Sequence, residues 1–280
     1  MTTGTTGPIL VTGCSSGIGG ATAVRLARAG RLVYATARKP DSIADLEAAG
    51  CRLLRLDVTD EASMSAAVGA VEEAHGAVGA LVNNAGYGEY GSVEEVPVDR
   101  VRWQFETNVF GLARMCQLVL PAMRAAGTGR IVNVSSMGGR LVFPGGGYYH
   151  ASKYAVEAVS DALRYEVRPF GISVSVVEPG MIRTKFGATA THTLSQTADA
   201  TGPYAAMTDA VDAGIQRGYA NRRLSADPEA VAAAIERAVT ARRPRTRYVV
   251  TAAARGLITA RAWLPDRAWD GFLRRQFRAT

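Results

Sequence analysis

The chain has 280 residues, of which 48% are hydrophobic and 20% charged, and its formal net charge is +7. These values are typical of one large soluble domain, or of one domain with an appendage. The three cysteines are widely spaced, which excludes a disulfide framework and a paired-cysteine metal site. There is also no apolar run of about 18 residues, so we expect no transmembrane helix. We further expect no metal, no signal peptide and a cytoplasmic, reducing location.

The positive charge is concentrated in the last part of the chain. Residues 222–280 contain 13 arginines and 5 acidic residues. Such a segment could bind nucleic acid, a membrane surface or an acidic partner protein. It has no nucleic-acid-binding motif and no basic run interleaved with aromatic residues. Solvated helix faces are therefore the favoured explanation, and no nucleic-acid partner is expected.

Short apolar runs alternate with helical patterns along most of the chain. Predicted strands cover residues 9–12, 32–37, 52–57, 80–83, 130–135, 173–178 and 247–251, and predicted helices cover residues 18–29, 62–75, 101–126 and 152–167. The strands are continuous Val/Ile/Leu runs, as in strands that are covered on both faces. Repeated β-α-β units predict a single α/β domain, namely a doubly wound, Rossmann-like parallel sheet of about seven strands with helices on both faces.

Two regions depart from this alternation. Residues 181–226 are rich in Ala, Thr and Gly and only weakly periodic, which predicts a substrate loop within a catalytic domain of residues 1–254. Residues 255–280 predict a C-terminal helical extension that is broken at Pro265 and packed on the domain. The large aromatic side chains of this extension are expected to be mostly buried: Trp263, Trp269 and Phe272.

A glycine-rich turn follows the first predicted strand. In the sequence GCSSGIG, Gly13, Gly17 and Gly19 lie between that strand and a helix. Glycine allows phosphate oxygens to approach the backbone, and the N-terminus of a helix offers free amide donors and a favourable dipole. A strand before the turn, a helix after it and a second strand about twenty residues later make this a dinucleotide-binding pattern.

The end of the second strand indicates which dinucleotide binds. An acidic side chain at this position would bond the ribose of NAD, but the sequence has Ala37 followed by Arg38 and Lys39. A cation favours the 2′-phosphate of NADP, so we predict NADP(H) in preference to NAD(H), with a solvated strand end as the alternative for Arg38. Asp57, at the end of the third strand, is predicted to accept from the adenine amino group, with helix capping as its alternative.

One of only three lysines, in a chain with 29 arginines, follows two adjacent tyrosines. Lys153 is four residues after Tyr149 and five after Tyr148, so Tyr149 shares its helix face. A nearby ammonium group stabilises a phenolate and lowers the phenol pKa from its usual value of about 10. The pair therefore predicts general acid–base catalysis by Tyr149.

Together with these features, four further motifs resemble the short-chain dehydrogenase/reductase family. They are NNAG at residues 83–86, Asn108 within ETNVFG, NVSS at residues 133–136 and EPGMIRT at residues 178–184. Members of this family place a serine thirteen positions before the tyrosine, which selects Ser136 rather than Ser135. In sequence, the motifs are most similar to those of the branch that contains hydroxysteroid and retinol dehydrogenases.

The resemblance implies an NADP(H)-dependent oxidoreductase that interconverts a secondary alcohol and a ketone, or an alcohol and an aldehyde. The implied catalytic residues are Asn108, Ser136, Tyr149 and Lys153. The implied cofactor-binding residues are Gly13, Ser15, Ser16, Gly17, Ile18, Gly19, Arg38, Asp57, Val58, Asn84, Ala85, Gly86, Tyr149, Lys153, Pro179, Gly180, Ile182 and Thr184. Ser136 would bind the substrate oxygen and Tyr149 would transfer the proton. Lys153 would lower the Tyr149 pKa and hold the ribose, and Asn108 would position a water molecule.

Three segments are expected to surround the substrate: those after the fourth and fifth strands and the region of residues 181–226. Their predicted substrate-binding residues are Tyr87, Val142, Phe143, Tyr148, Met181 and Phe186. Most of these side chains are apolar or aromatic, and buried apolar area would supply most of the binding free energy. We therefore predict a bulky apolar ketone or alcohol as substrate.

Two other functions remain open at the level of the sequence. One is a ketoreductase acting on a carrier-bound β-keto acyl group, with the basic extension docking an acidic carrier protein. The other is a non-catalytic NADP-binding redox sensor, which the intact catalytic set argues against. The resemblance implies a homodimer or homotetramer. The sequence does not determine the substrate, the physiological direction or the stereochemistry.

Overall fold

The computed structural model describes residues 7–277. The strands of this part of the chain are β1 Ile9–Val11, β2 Val33–Ala37, β3 Arg52–Arg55, β4 Ala80–Asn83, β5 Gly129–Val134, β6 Ile172–Pro179, β7 Met181–Ile182, β8 Ser225–Ala226 and β9 Arg247–Val250. Seven of them form one parallel sheet in the order β3-β2-β1-β4-β5-β6-β9. The predicted doubly wound α/β fold is therefore confirmed. The strand order reverses between β1 and β4, where such sheets bind their ligands.

Helices cover both faces of the sheet. Those in the described residues are α1 Gly17–Arg28, α2 Glu61–His75, α3 Val98–Phe105, α4 Gly111–Ala125, α5 Gly147–Glu166, α6 Lys185–Thr197, α7 Ala205–Ala220, α8 Pro228–Thr240, α9 Ala252–Trp263 and α10 Asp266–Gln276. None of these helices has the length and apolar character that a membrane crossing requires.

Two hydrophobic cores lie on opposite faces of the sheet because strand side chains alternate. On β1, Ile9 and Val11 belong to one core and pack with Leu26 of α1 and Ile235 of α8. Leu10, between them, belongs to the other core, which is built from α2, α4 and α5. All three strand residues are fully buried. This double coverage explains why the strands read as continuous apolar runs.

The long helix predicted around residues 101–126 is interrupted at one point. Between α3 and α4, residues Glu106–Phe110 form a π-helical turn with helical backbone angles on both sides. Such single turns insert one residue into a helix and are frequent at functional sites. Here the turn contains Asn108, which is buried.

The region of residues 181–226 is not the irregular loop that its composition predicted. It contains α6 and α7, and its two ends are joined by the short parallel pair of β7 and β8. Each helix buries only three or four residues, and most of these are small: four in α6 and three in α7. Buried and exposed positions therefore differ little in hydrophobicity. This explains why the sequence of this region shows no clear helical repeat of apolar residues.

The C-terminal region contains α9 and α10, with Pro265 immediately before α10. Trp269 is 4% exposed and packs against Phe143, with ring centroids 6.4 Å apart. Phe272 is partly buried beside Trp269. The expectation for Trp263 is wrong: this residue ends α9 and its side chain is 85% exposed.

The two tryptophans are expected to differ sharply in their effect on stability. Trp269→Ala should lower the free energy of unfolding by about 3 kcal/mol, because a large aromatic side chain leaves the contact with Phe143. Trp263→Ala should change it by less than about 0.5 kcal/mol, as for an exposed position. Urea denaturation of both variants measures the difference. Equal losses in the two variants would contradict this packing of the extension.

Candidate active site

The carboxyl ends of the parallel strands open into a cavity of about 1600 Å³. One part of its wall is the GCSSGIG turn after β1 and the segments after β2, β3 and β4. The other part is aromatic and apolar and comes from α6, α7, α9 and α10. Tyr149 and Ser136 lie on the wall of the same cavity.

The GCSSGIG turn has the geometry that a bound pyrophosphate requires. Gly13 and Gly17 have φ values of 73° and 59°, in the left-handed region that favours glycine. A Cβ at Gly13 would lie 2.8 Å from the Cα of Ala85. No acidic residue stands in the first turn of α1, and Ser16 at its N-cap makes no side-chain capping bond. The amide donors of this helix end are therefore available to an anion.

Asn84 and Thr12 tie the NNAG segment to this turn. The Asn84 side chain donates to the carbonyl oxygens of Thr12 and Gly13 at 2.9 and 3.0 Å. The Thr12 hydroxyl accepts from the amides of Asn84 and Ala85, both at 3.0 Å. Four hydrogen bonds thus fix the two backbone segments that face each other across the cavity.

The cavity wall also contains Arg38 and Asp57. Arg38 is exposed directly after β2. Asp57 accepts from the amide and the hydroxyl of Thr59 at 3.0 and 2.8 Å through one carboxylate oxygen. The cap of α2 is Asp60, which accepts from the Ala62 and Ser63 amides. Helix capping, the alternative role for Asp57, is therefore wrong.

Of the residues predicted to bind the cofactor, all but one lie on the cavity wall. They are Gly13, Ser15, Ser16, Gly17, Ile18, Arg38, Asp57, Val58, Asn84, Ala85, Gly86, Tyr149, Lys153, Pro179, Gly180, Ile182 and Thr184. Gly19 lies behind the wall, where a Cβ would collide with the Gly13 carbonyl oxygen and the Asn84 side chain. Its predicted cofactor contact is thus corrected to a packing role.

Tyr149 and Lys153 lie one turn apart on α5, and both are 6% exposed. Lys153 donates to the Val134 carbonyl oxygen at 3.0 Å. Burial lowers the pKa of Lys153 to about 8, and the Glu157 carboxylate one turn later opposes that shift. Burial raises the pKa of Tyr149 to about 12, against a hydrogen bond to Ser136 that lowers it. In the protein chain by itself, desolvation therefore outweighs the lowering of the Tyr149 pKa that the resemblance implied.

The structure places Ser136, not Ser135, beside Tyr149. The Ser136 hydroxyl accepts from the Gly138 amide at 3.0 Å and also hydrogen-bonds the tyrosine. Ser135 is directed to the opposite side of the segment, where its hydroxyl is buried next to Gly139. The two adjacent serines thus have different environments, because side chains alternate along an extended segment.

Asn108 connects the π-helical turn to the segment after β4. Its side chain donates to the Tyr87 carbonyl oxygen at 2.9 Å and to the Ser152 hydroxyl at 3.0 Å. It also accepts from the Tyr87 amide at 3.1 Å. Gly86 separates Asn108 from Lys153, since a Cβ there would lie 2.9 Å from the amide oxygen and 3.7 Å from the ammonium nitrogen.

His150 has a structural position beside Tyr149. Its Nε2 accepts from the Phe143 amide at 3.2 Å, and Nδ1 lies 3.1 Å from the Gly138 carbonyl oxygen. These partners fit a neutral ring that carries its proton on Nδ1. Burial lowers the pKa of His150 to about 4, so the ring stays neutral at physiological pH. It fixes the segment that leads from Ser136 to Phe143.

Comparison with known proteins identifies the family. The family model described as short chain dehydrogenase matches residues 8–195. A 3-ketodihydrosphingosine reductase from Bacteroides thetaiotaomicron is 38% identical over 267 residues, which cover 95% of this chain and 96% of the relative.

The protein is a short-chain dehydrogenase/reductase.

Two further relatives bear on its chemistry. An NADPH-dependent 3-dehydrocapnine reductase from Ornithobacterium rhinotracheale is 33% identical over 270 residues, covering 93% of this chain and 94% of the relative. A short-chain dehydrogenase/reductase from Burkholderia phymatum, solved in complex with NAD, aligns with a TM-score of 0.79 at 27% identity over 94% of this chain and 95% of the other. As a member of this family, the chain is an oxidoreductase enzyme.

The predicted substrate residues of this short-chain dehydrogenase/reductase separate into two groups. Four of them line the large cavity: Tyr87, Phe143, Met181 and Phe186. Tyr148 lies outside it, and its hydroxyl donates to the Val93 carbonyl oxygen at 2.9 Å. Val142 is 43% exposed and lines a separate pocket of about 340 Å³. Both predictions are corrected because adjacent residues of a helix or an extended segment point in different directions.

Several cavity residues were missed by the sequence analysis. Tyr90 follows the NNAG motif by four residues, so its place in the chain could have suggested a site residue. No motif distinguishes the others, which come from α7, α9 and α10: Val211, Gly214, Tyr219, Gly256, Leu257, Phe272 and Phe277. They reach the site through tertiary packing alone.

Proposed function

We propose that the protein interconverts a secondary alcohol and a ketone of a large apolar compound, with NADP(H) in preference to NAD(H). The observation that carries the proposal is the position of Tyr149 and Ser136. Both line the cavity, and the Tyr149 ring packs against Tyr90 and Phe186 in its aromatic part. A substrate in the aromatic part would therefore present its carbonyl group to both hydroxyls.

The residues of the chain fit a dinucleotide. Gly13, Gly17 and the N-terminus of α1 would hold the pyrophosphate, and Lys153 would hold the nicotinamide ribose. The bound nicotinamide supplies or accepts the hydride. Ser136 would donate a hydrogen bond to the substrate oxygen, which orients it and stabilises developing negative charge.

Tyr149 would deliver the proton to that oxygen. Burial raises its pKa to about 12, so at neutral pH it carries the proton that carbonyl reduction needs. In the opposite direction a positive charge must stabilise the phenolate, and Lys153 would provide it. Asn108, bonded to the backbone of Tyr87 and to Ser152, would hold the π-helical turn against this centre. Its proposed contact with a water molecule rests on the family resemblance.

Two observations support the preference for NADP(H). Arg38 lines the cavity after β2 and makes no ion pair with any residue of the described chain. Its guanidinium is thus available to a phosphate, for which its geometry is well suited. The relative from Ornithobacterium rhinotracheale is NADPH-dependent by name.

The aromatic part of the cavity supports an apolar substrate. Phe143, Phe186, Phe272 and Phe277 line it. By name, one of the two relatives reduces a 3-keto compound and the other a 3-dehydro compound. We therefore propose a ketone that carries a long or bulky apolar chain.

A competition between substrates tests this function. NADPH oxidation would be followed with a long-chain or aryl ketone and with a short keto acid or a sugar. The apolar ketone is expected to have a kcat/KM at least about 100-fold higher, because its chain buries apolar area in the cavity. A higher kcat/KM for the polar compound, or no turnover of any ketone, would overturn the proposal.

Gly256 offers a way to shorten the space for the apolar chain. It lies on α9, lines the cavity at an exposed position, and a Cβ there would meet no atom within 4 Å. Gly256→Phe is therefore expected to fold normally but to lower kcat/KM for the longest ketones by at least about 10-fold, with little effect on short ones. Steady-state kinetics over a series of chain lengths measures this. Gly69→Phe is the control. Gly69 is an exposed position on α2, where a Cβ would also meet no atom within 4 Å, and its substitution should not change kcat/KM.

We also propose a homodimer or homotetramer in the cytoplasm. Large side chains are exposed on the helices and turn flanking the sheet on one side, among them Trp103, Phe110 and Tyr165, with exposures of 52%, 55% and 79%. Such a surface is suited to a partner subunit. The cysteines Cys14, Cys51 and Cys116 are buried free thiols, which is compatible with a reducing compartment.

A further inference from the structure

Two tyrosines beside Tyr149 are not explained by proton transfer. Tyr90, from the segment after β4, and Tyr219, from α7, both line the cavity. Neither hydroxyl hydrogen-bonds to any residue between 7 and 277. Both residues are partly exposed and line the cavity, so a ligand that enters the cavity can reach their hydroxyls.

The ring of Tyr90 is held in one position. It stacks on Tyr149 with centroids 5.6 Å apart and an interplanar angle of 27°. One ring edge lies against Gly88 and the other against Gly146, where a Cβ would approach the Tyr90 ring to 2.8 and 3.1 Å. Both glycines thus make room for the ring, which fixes the direction of its hydroxyl.

The ring of Tyr219, on α7, is also held by packing against a glycine. Its ring lies over Gly187 of α6, where a Cβ would stand 3.2 to 3.3 Å from three of its ring atoms. Burial raises the pKa of both tyrosines above the usual value, and the proximity of Tyr149 adds to the effect. Both phenols therefore stay protonated and can donate a hydrogen bond.

One pair of opposite charges on the wall of the same cavity is already neutralised. Glu89 and Arg100 line the wall as an ion pair, with Nη2 and Oε1 2.9 Å apart. Because each neutralises the other, neither leaves a net charge for a charged substituent of the substrate. A hydroxyl group, which can both donate and accept, matches two fixed phenol groups.

We propose that Tyr90 and Tyr219 bind a hydroxyl group next to the reacting carbonyl, and so select hydroxy ketones over plain ketones. The inference rests on the proposed ketone reduction at Tyr149 and specifies its substrate class. A site built to hydrogen-bond a substrate hydroxyl discriminates strongly against the analogue without it, because its own polar groups are then left unpaired. A site that holds only an apolar chain discriminates much less.

Matched substrates and isosteric variants test the proposal. The substrates are a long-chain ketone with a hydroxyl on an adjacent carbon or on the next carbon, and the same ketone without it.

The wild-type enzyme should favour the hydroxy ketone by at least about 10-fold in kcat/KM. Tyr90→Phe and Tyr219→Phe should each reduce this ratio several-fold, and the double variant should bring it close to one. All three should lose several-fold less activity with the plain ketone than with the hydroxy ketone. Tyr148→Phe, which removes a hydroxyl outside the cavity, should leave the ratio unchanged.

The outcomes separate the two proposals. A wild-type enzyme that reduces both ketones equally well overturns the role of the two tyrosines but leaves ketone reduction intact. Absence of turnover with every ketone contradicts the proposed function itself. An equal loss with both ketones in the variants would show that the rings act by packing alone, and would overturn the inference. Calorimetric binding of the two alcohol products supplies a second measurement, and the phenylalanine variants should lose affinity only for the diol.

Discussion

Replacing Tyr149 with phenylalanine is expected to lower kcat by at least about 100-fold and to leave the affinity for NADPH nearly unchanged. The substitution removes the hydroxyl that hydrogen-bonds Ser136 but keeps the ring that packs against Tyr90 and Phe186. Loss of a general acid costs about 100- to 10,000-fold in rate. Steady-state kinetics and NADPH fluorescence titration measure the two quantities separately.

The adjacent tyrosine is the matched control for this experiment. Tyr148→Phe removes only a hydrogen bond to the Val93 carbonyl oxygen, outside the cavity. It should change kcat by less than about threefold, as expected for a group that takes no part in proton transfer. If the Tyr148 variant loses activity and the Tyr149 variant remains normal, Tyr148 and not Tyr149 transfers the proton.

The second large effect is expected at Arg38. Arg38→Ala should weaken NADPH binding by roughly 10- to 150-fold, because it removes a charge-assisted contact with the 2′-phosphate. NADH lacks this phosphate, so its affinity should change by less than about threefold. Isothermal titration with each cofactor measures both constants.

Arg28→Ala provides the control for Arg38, since Arg28 is an exposed arginine at the other end of α1. It should leave both affinities unchanged. If the wild-type enzyme shows equal kcat/KM for NADPH and NADH, the assignment of Arg38 to the phosphate fails. The Burkholderia phymatum relative was solved in complex with NAD, and the relative from Ornithobacterium rhinotracheale is NADPH-dependent by name.

The strands and the glycine-rich turn could be predicted because their signals are local. Continuous apolar runs mark strands that are buried on both faces, and the spacing of Gly13, Gly17 and Gly19 marks a turn before a helix. The helices of residues 181–226 could not be predicted in the same way. Their buried positions are occupied by alanine, glycine and threonine as well as by larger residues, so the sequence contains little periodic contrast.

The proximity of Ser136, Tyr149 and Lys153 could be predicted from motif spacing, but the orientation of neighbouring side chains could not. Tyr148 and Tyr149 are adjacent in the sequence, yet only Tyr149 faces the cavity. Trp263 and Trp269 belong to the same extension, yet only Trp269 is buried. These differences depend on how α5 and α10 pack against the rest of the domain. The contribution of Phe277 to the cavity likewise follows from packing between elements far apart in sequence.

The wall of the cavity is built from two stretches of the chain. The family model ends at residue 195 and includes the glycine-rich turn, Tyr149 and Phe143, whereas Tyr219 and Phe277 lie beyond it. Part of the proposed substrate site is therefore encoded after the residues proposed for hydride transfer. Exchanging residues 205–277 with those of a relative could redirect the enzyme to a different ketone while its hydride-transfer machinery is inherited unchanged.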